Sequence, residues 1–409
     1  MTFRLIFIIL LIADSLLKLY LNYRQTKSIK LNFNQVPHSF TQYITLEEHQ
    51  KAGQYSLAKL SLARTEIIYS ALIILAFTLG GGIEFIATYL NWNNYPLSGE
   101  VSLIIGYTLL SSILGLPLSY YSTFQIEQQF GFNKMTLGLF IKDMFKGLIL
   151  SLAIGVPLLY LVMWLMQSLG NSWWIWVWLV LVSFNLLILL IYPTFIAPLF
   201  NKFTPLEDQE LKTKIDNLLT ACGFKSQGVF VMDGSKRSSH GNAYFTGLGS
   251  SKRIVFFDTL LKQLSHNEII AVLAHELGHF KKKHIIKQMI VSFGITLIGL
   301  FIFSLLINQG WFYTALNVSI INHASGLLLL FIVLGLVSLP LAPLSSLMSR
   351  HNEFEADDFA KAHSDKQDLI TGLVKLYRDN ASTLTPDDLY VKFYYSHPPA
   401  SVRIANLEQ

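Results

Sequence analysis

Seven apolar runs, at roughly 3–21, 66–90, 101–121, 147–169, 173–197, 289–307 and 326–348, are each long enough to cross about 30 Å of hydrocarbon as a helix. A chain built this way is a polytopic membrane protein of mainly α class. Composition agrees, since 14% of its 409 residues are charged, where soluble domains carry about 25%. The opening MTFRLIFIILLIADSLLKLYL has a basic residue and an apolar run but no small-x-small cleavage site, and Asp14 and Lys18 interrupt it. It reads as a retained first span and not as a signal peptide. Cys222 is the sole cysteine, which excludes an intrachain disulfide and a cysteine metal cage. Any metal must be held by histidine and carboxylate.

Orientation follows from the basic residues. Segments 91–100, 170–172 and 308–325 contain no Lys or Arg, whereas the alternate segments carry Arg24 to Arg64, Lys134 to Lys146, a dense set across 198–288, and Arg350 onward. Basic loops stay on the cytoplasmic side, so the N-terminus is expected outside and the C-terminus inside, with Arg4 the one dissenter. The net charge of +5 is the mark of this bias and does not call for a nucleic-acid partner. The expected organisation is 1–197 for spans one to five and their loops, 198–288 for a cytoplasmic-side catalytic region, 289–348 for spans six and seven, and 349–409 for a C-terminal catalytic region. TLEE at 45–48 has capping-box spacing and should start the helix that enters span two. NSWWIWVWLV, 171–180, reads as an interfacial tryptophan belt. Asp14 and Lys18, four apart, read as a helical ion pair or as the mark of a helix bordering an aqueous cavity.

The chemistry concentrates in AVLAHELGHFKKKH, 271–284. His275 and His279 at i and i+4 lie one above the other on a helix, a spacing at which two imidazoles can bind one zinc. Glu276 projects beside them, where it can accept a proton from water held at the metal. Ser265 and Glu268 have capping-box spacing at the start of this helix. His284, five past His279, is expected to turn off the ligand face and sit at the interface. A catalytic zinc needs a third protein ligand, and SRHNEFEADDFAKAH, 349–363, offers Glu353 and Asp357 on one side of a helix. One can ligate while the other bonds the free nitrogen of a ligand histidine. Spacing alone leaves the two interchangeable. Glu355, about 200° around from Glu353, and Asp358 point elsewhere. Two spans separate the half-sites and return the chain to the same face, so they can meet.

HELGH after five spans, NEFEAD after seven, and SHPPASVRI near the C-terminus together resemble the type I CAAX prenyl protease family, integral-membrane zinc endopeptidases of the gluzincin kind. FQIEQQFGFNKMTLGLFIKD (124–143), YPTFIAPLFNKFTPL (192–206) and DGSKRSSHGNAYFTGLG (233–249) extend the resemblance over nearly the whole chain. The resemblance implies one zinc on His275, His279 and Glu353, with Glu276 as general base and Asp357 behind the ligands. It implies seven helices enclosing a chamber, and a zinc protease domain with a small β element. HGNAYFTGL resembles the edge strand that holds an extended substrate, so Asn242, Ala243 and Tyr244 are expected to bind it, Asn242 through the substrate backbone. His397 would donate to the tetrahedral oxyanion, and Arg403 would brace the site or meet a substrate carboxylate. His240 receives no role.

The reaction implied is zinc-assisted peptide hydrolysis at the carboxyl side of an isoprenylated cysteine, with membrane lipid as surroundings. The short chain and a C-terminal NLEQ without a dilysine signal point to a bacterial source and its cytoplasmic membrane. In a eukaryote the endoplasmic reticulum membrane is expected. Many bacteria lack protein prenylation, and there the alternative is a membrane-protein quality-control zinc protease of the heat-shock type, which usually has fewer spans. A receptor or transporter with an incidental motif would bind no zinc.

Overall fold

The computed structural model describes residues 2–90, 96–224, 226–246 and 252–409. Part of the uncharged 91–100 segment and the end of the expected edge-strand stretch, 247–249, therefore lie outside the described residues. The first half of the chain is helical: α1 (Thr2–Leu31), α2 (Leu46–Phe77), α3 (Gly82–Tyr89), α4 (Pro96–Tyr121), α5 (Leu137–Ser168), α6 (Trp173–Ile191) and α7 (Ala197–Phe200). A mixed region follows, with β1 (Phe203–Pro205), α8 (Gln209–Ala221), β2 (Val229–Met232), β3 (Ala243–Thr246), β4 (Arg253–Phe257), α9 (Asp258–Gln263) and α10 (His266–Lys281). Then come α11 (His284–Leu306), α12 (Gly310–Thr314), α13 (His323–His363), α14 (Lys366–Asp379), α15 (Asp388–Tyr394) and α16 (Ala400–Glu408). Among the described residues, seven helices are long and apolar enough to cross a membrane.

The spans depart from the apolar runs in instructive places. The run 66–90 is not one helix. Thr45 and Glu48 form the expected capping box and start α2 at Leu46, but α2 stops at Phe77, where the chain reaches three consecutive glycines. Gly81 takes φ 77°, a left-handed conformation that glycine adopts without a steric penalty, and α3 begins only after it. α5 starts ten residues ahead of its apolar run because the Thr136 side chain caps it. The seventh run does not end at the membrane surface: α13 continues unbroken for 41 residues, through Glu353 and Asp357.

Two separate cores close the two ends of the helical bundle. Phe7, Leu103, Met163, Trp173, Phe303, Phe312 and Leu329 pack together where α1, α6 and α13 begin and α5 and α11 end. The opposite end is closed by a second core in which β4, α8, α10, α14 and α16 bury Phe256, Ile215, Leu273, Leu373 and Leu407. Between the cores the helices are barely covered: in five of the seven spans only 6–17% of the apolar window is buried. A cavity of about 580 Å³, lined by Tyr55, Lys59, Glu66, His240 and Asn380, and a neighbouring one of about 250 Å³, lined by Asp14, Lys18, Glu66 and Tyr394, lie along α2. The helical ion pair of Asp14 and Lys18 forms, with Lys18 Nζ 2.7 Å from the carboxylate, and the pair lies at the wall of the smaller cavity.

The tryptophan belt is corrected for two of its four members. Trp176 is exposed, but Trp173 is buried edge-on against Phe303, and Trp178 Nε1 donates to the Phe293 carbonyl at 2.9 Å. These two fasten α6 to α11, because buried indoles pack and pair their N–H. Arg4, the dissenting basic residue, has its own partners: its guanidinium donates to the Ala315 and Thr314 carbonyls at the C-terminal end of α12, where a helix favours positive charge.

The sheet runs in the order β1-β2-β4-β3. β3 pairs antiparallel with β4 on one side and, among the described residues, has no strand on the other.

Candidate active site

Ser265 and Glu268 cap α10 as their spacing predicts. One face of this helix buries Ile269, Leu273 and Leu277 in the site-end core, which turns His275 and His279 toward α13. A glycine permits the approach. A Cβ built on Gly278 would lie 2.9 Å from Ala356 Cα, closer than real Cβ atoms come, and 3.1 Å from the Ala356 carbonyl oxygen, a tight contact. With hydrogen in its place, α10 lies directly on the α13 backbone one turn from Glu353.

Three donor groups converge there. His275 Nε2 is 3.4 Å from Glu353 Oε2, His279 Nε2 is 3.2 Å from Glu353 Oε1, and the two Nε2 atoms are 3.2 Å apart. One ligand atom from each of His275, His279 and Glu353 lies within 4.8 Å of the others. Glu353 Oε2 is buried and has no hydrogen-bond partner among the described residues. Arg403 Nη1, 3.6 Å away, offsets the charge of this oxygen without bonding it, and a buried oxygen left unbonded costs free energy, so its lone pairs stay open to a metal ion. Two imidazole nitrogens and one carboxylate, with an open fourth position, are the donor set of a catalytic zinc site. The residues therefore fit a metal ion.

The surroundings fix the ligands. His275 Nδ1 lies 2.8 Å from Asp357 Oδ1, so it carries the proton and leaves Nε2 as the free lone pair. Spacing left Glu353 and Asp357 interchangeable; Glu353 faces the imidazole Nε2 atoms and Asp357 stands behind His275. Burial and the nearby Arg403 charge oppose the His275 imidazolium, but Asp357 and Glu353 outweigh them and raise its pKa above the ordinary 6.5. Arg403 donates from Nε and Nη2 to Asp357 at 2.9 and 2.6 Å and lies 3.6 Å from Glu353. It was expected among the substrate-binding residues. Bracing was the other reading, and the geometry favours it: Arg403 is only 7% exposed and two of its guanidinium nitrogens bond Asp357. It braces the site.

His397 Nε2 stands 3.3 Å from Glu353 Oε1, with its side chain 61% exposed at a position enclosed by protein at longer range. That enclosure lowers its pKa, the Glu353 carboxylate only partly offsetting it, and Ser396 Oγ is 2.9 Å from its Nδ1. Glu276, next to His275 on α10, is half-buried. Asn242 is exposed at the head of β3, its Oδ1 accepting the Ala243 N–H at 2.8 Å, while Ala243 and Tyr244 are half-buried on the strand's free edge. Phe245 packs on Phe280 of α10 at 5.1 Å and ties β3 to the HELGH helix.

Two features escaped the sequence reading. His284, expected at the interface, is buried with Nδ1 3.0 Å from His279 Nδ1 and Nε2 2.9 Å from Glu355. The reason is conformational: α10 ends at Lys281, and Lys283 adopts φ 59°, a left-handed turn that folds the chain back. Helical extrapolation from His279 does not survive that turn. His240, without an assigned role, stacks on Phe132 at 4.3 Å, contacts Glu127 at 3.3 Å and Asn380 at 3.1 Å. Asn380 also accepts the Gly241 N–H, so the network holds the entry to β3. Nearby, Arg237 binds Asp143 at 2.8 Å and Asn201 at 2.7 Å. The three stretches 124–143, 192–206 and 233–249 thus meet at one junction beside the edge strand.

Residues 25–202 match the family described as CAAX prenyl protease N-terminal, five membrane helices, and residues 205–409 match Peptidase family M48. CAAX prenyl protease 1 of Saccharomyces cerevisiae is 37% identical, over 97% of this chain and 93% of the yeast protein. The CAAX prenyl protease 1 homolog of Homo sapiens is 32% identical, over 95% of this chain and 92% of the human protein. The crystal structure of S. mikatae Ste24p superposes with a TM-score of 0.92 at 36% identity, covering 100% of this chain and 99% of that one.

Proposed function

The chain belongs to peptidase family M48, and from that premise we propose that it is a zinc endopeptidase acting on the carboxyl side of an isoprenylated cysteine and releasing a C-terminal tripeptide. Its relatives are named CAAX prenyl protease 1, and the five-helix N-terminal match favours this reading over the heat-shock type. The observation that carries it is the convergence of His275, His279 and Glu353 within 4.8 Å, from segments that two membrane spans separate.

His275 and His279 offer Nε2, and Glu353 a carboxylate oxygen, to one zinc. Bound there, zinc would supply Lewis acidity toward a water molecule and the scissile carbonyl. Glu276 takes the proton of the attacking water and passes it to the leaving amine. Ser396 donates its hydroxyl to His397 Nδ1, which leaves Nε2–H as a donor to the carbonyl oxygen as negative charge develops there. The lowered pKa of His397 keeps the ring neutral, so the donor is an N–H of fixed direction. The free edge of β3, with Asn242, Ala243 and Tyr244, holds the substrate extended by strand addition. We assign 198–288 and 349–409 to one catalytic unit that spans six and seven, 289–348, interrupt, and 1–197 to the remaining wall. The positive-inside pattern supports a cytoplasmic site.

A farnesylated peptide and its unprenylated twin, incubated with purified protein, test the substrate class. Faster tripeptide release from the farnesylated peptide is expected. Equal rates contradict prenyl specificity and favour quality control.

A further inference from the structure

The geometry points to a second orienting relay, in which Glu355 and His284 fix His279 as Asp357 and Arg403 fix His275. It rests on the proposed metal seat and goes beyond its ligands. The relay follows from proton accounting. If His279 offers Nε2 to the metal, its Nδ1 carries the proton and needs an acceptor. The atom facing it, at 3.0 Å, is His284 Nδ1. That nitrogen can accept only if the His284 proton resides on Nε2, and Nε2 stands 2.9 Å from Glu355 Oε2, an acceptor. Each bond demands the next, and one tautomer of each ring satisfies all three positions. His284 is 4% exposed, so water does not substitute. Lys282 Nζ, 3.7 Å from Glu355 Oε1, holds the far end. Lys283 makes the arrangement by accepting φ 59°, a conformation uncommon for side chains other than glycine, asparagine and aspartate. Strain of this kind persists where surrounding structure enforces it, and here it points His284 back at His279. His284 and Glu355 are positioning residues; they touch a ligand and not the substrate.

The test uses the full chain in detergent, stripped of metal, with zinc affinity measured by chelator competition and the ligand field read from the visible bands of Co²⁺. His284→Leu removes the acceptor; His284→Asn keeps one, because Asn Oδ1 can stand where Nδ1 stood. His284→Leu is expected to weaken zinc binding about 10- to 100-fold and shift the Co²⁺ bands, Glu355→Leu, which removes the terminal acceptor, to weaken it about 10-fold, and His284→Asn to stay within about threefold of wild type. Retention of wild-type affinity in His284→Leu overturns the relay, as does equal loss in the Asn and Leu variants, which would mark packing alone. Should His284→Leu fail to fold, Glu355→Leu decides, with unchanged affinity the contrary result. His279→Ala, run alongside, separates the two layers. If it keeps zinc, the metal seat itself is wrong; if it loses zinc while His284→Leu does not, only the relay falls.

Discussion

Gly278 lies against Ala356 so closely that a Cβ on the glycine would stand 2.9 Å from the alanine Cα. This contact sets the distance between the helix that carries both histidines and the helix that carries Glu353. Gly278→Ala drives a methyl into backbone, which cannot rotate away, and overpacking of this kind costs about 1–3 kcal/mol. A lower melting temperature and weaker zinc binding are both expected. A Gly278→Ala variant with unchanged zinc affinity would show that the approach of α10 and α13 does not govern the site.

Glu276 separates chemistry from metal binding. Glu276→Gln removes the proton acceptor and leaves the proposed ligands in place. Cleavage is expected to fall by at least about 100-fold while zinc content stays at the wild-type level. Full activity in this variant removes Glu276 from the proton path.

Arg403 is braced inside the protein, and stability should report it. Arg403→Ala leaves Asp357 buried without its charge partner, a loss of about 3–5 kcal/mol, read as a lower melting temperature. Were Arg403 instead a receptor for a substrate carboxylate, the variant would melt normally and show only a raised KM.

Glu268 makes the stability of α10 pH-dependent. Burial opposes its charge, but Lys375, at 2.8 Å, and the Ser265 N–H, at 2.7 Å, prevail and hold its pKa below the ordinary 4.5. A depressed carboxylate stabilises the fold above the unfolded pKa, and that contribution disappears as pH falls through the folded value. Glu268→Gln is expected to cost about 1–3 kcal/mol near neutral pH, with the gap to wild type closing below pH 4.5. A gap of constant size across that range would contradict the charge-based origin.

What could be read in advance divides along physical lines. The i, i+4 histidines, the Ser265 box and the pairing of Glu353 with Asp357 depend on helical geometry alone, and local spacing carried them. The end of α2 depended on three glycines inside an apolar run, where hydropathy continues and the backbone does not. His284 depended on a left-handed residue at Lys283, for which lysine gives no signal. Trp173 and Trp178 looked like belt residues because composition cannot tell a lipid-facing indole from one packed on a neighbouring helix. Arg403 could not be assigned between brace and receptor until its burial against Asp357 was seen. The junction of Asp143, Asn201, Arg237 and His240 joins loops far apart in the chain, and no periodicity links them.

The most direct measurement of the metal seat is elemental zinc per chain in purified wild type, His275→Ala, Glu353→Ala and Glu276→Gln. One zinc is expected in wild type and in Glu276→Gln, and a marked loss in the other two. A wild-type protein without zinc, or a Glu353→Ala variant that holds it as firmly as wild type, would contradict a site built from two histidines of α10 and one glutamate of α13.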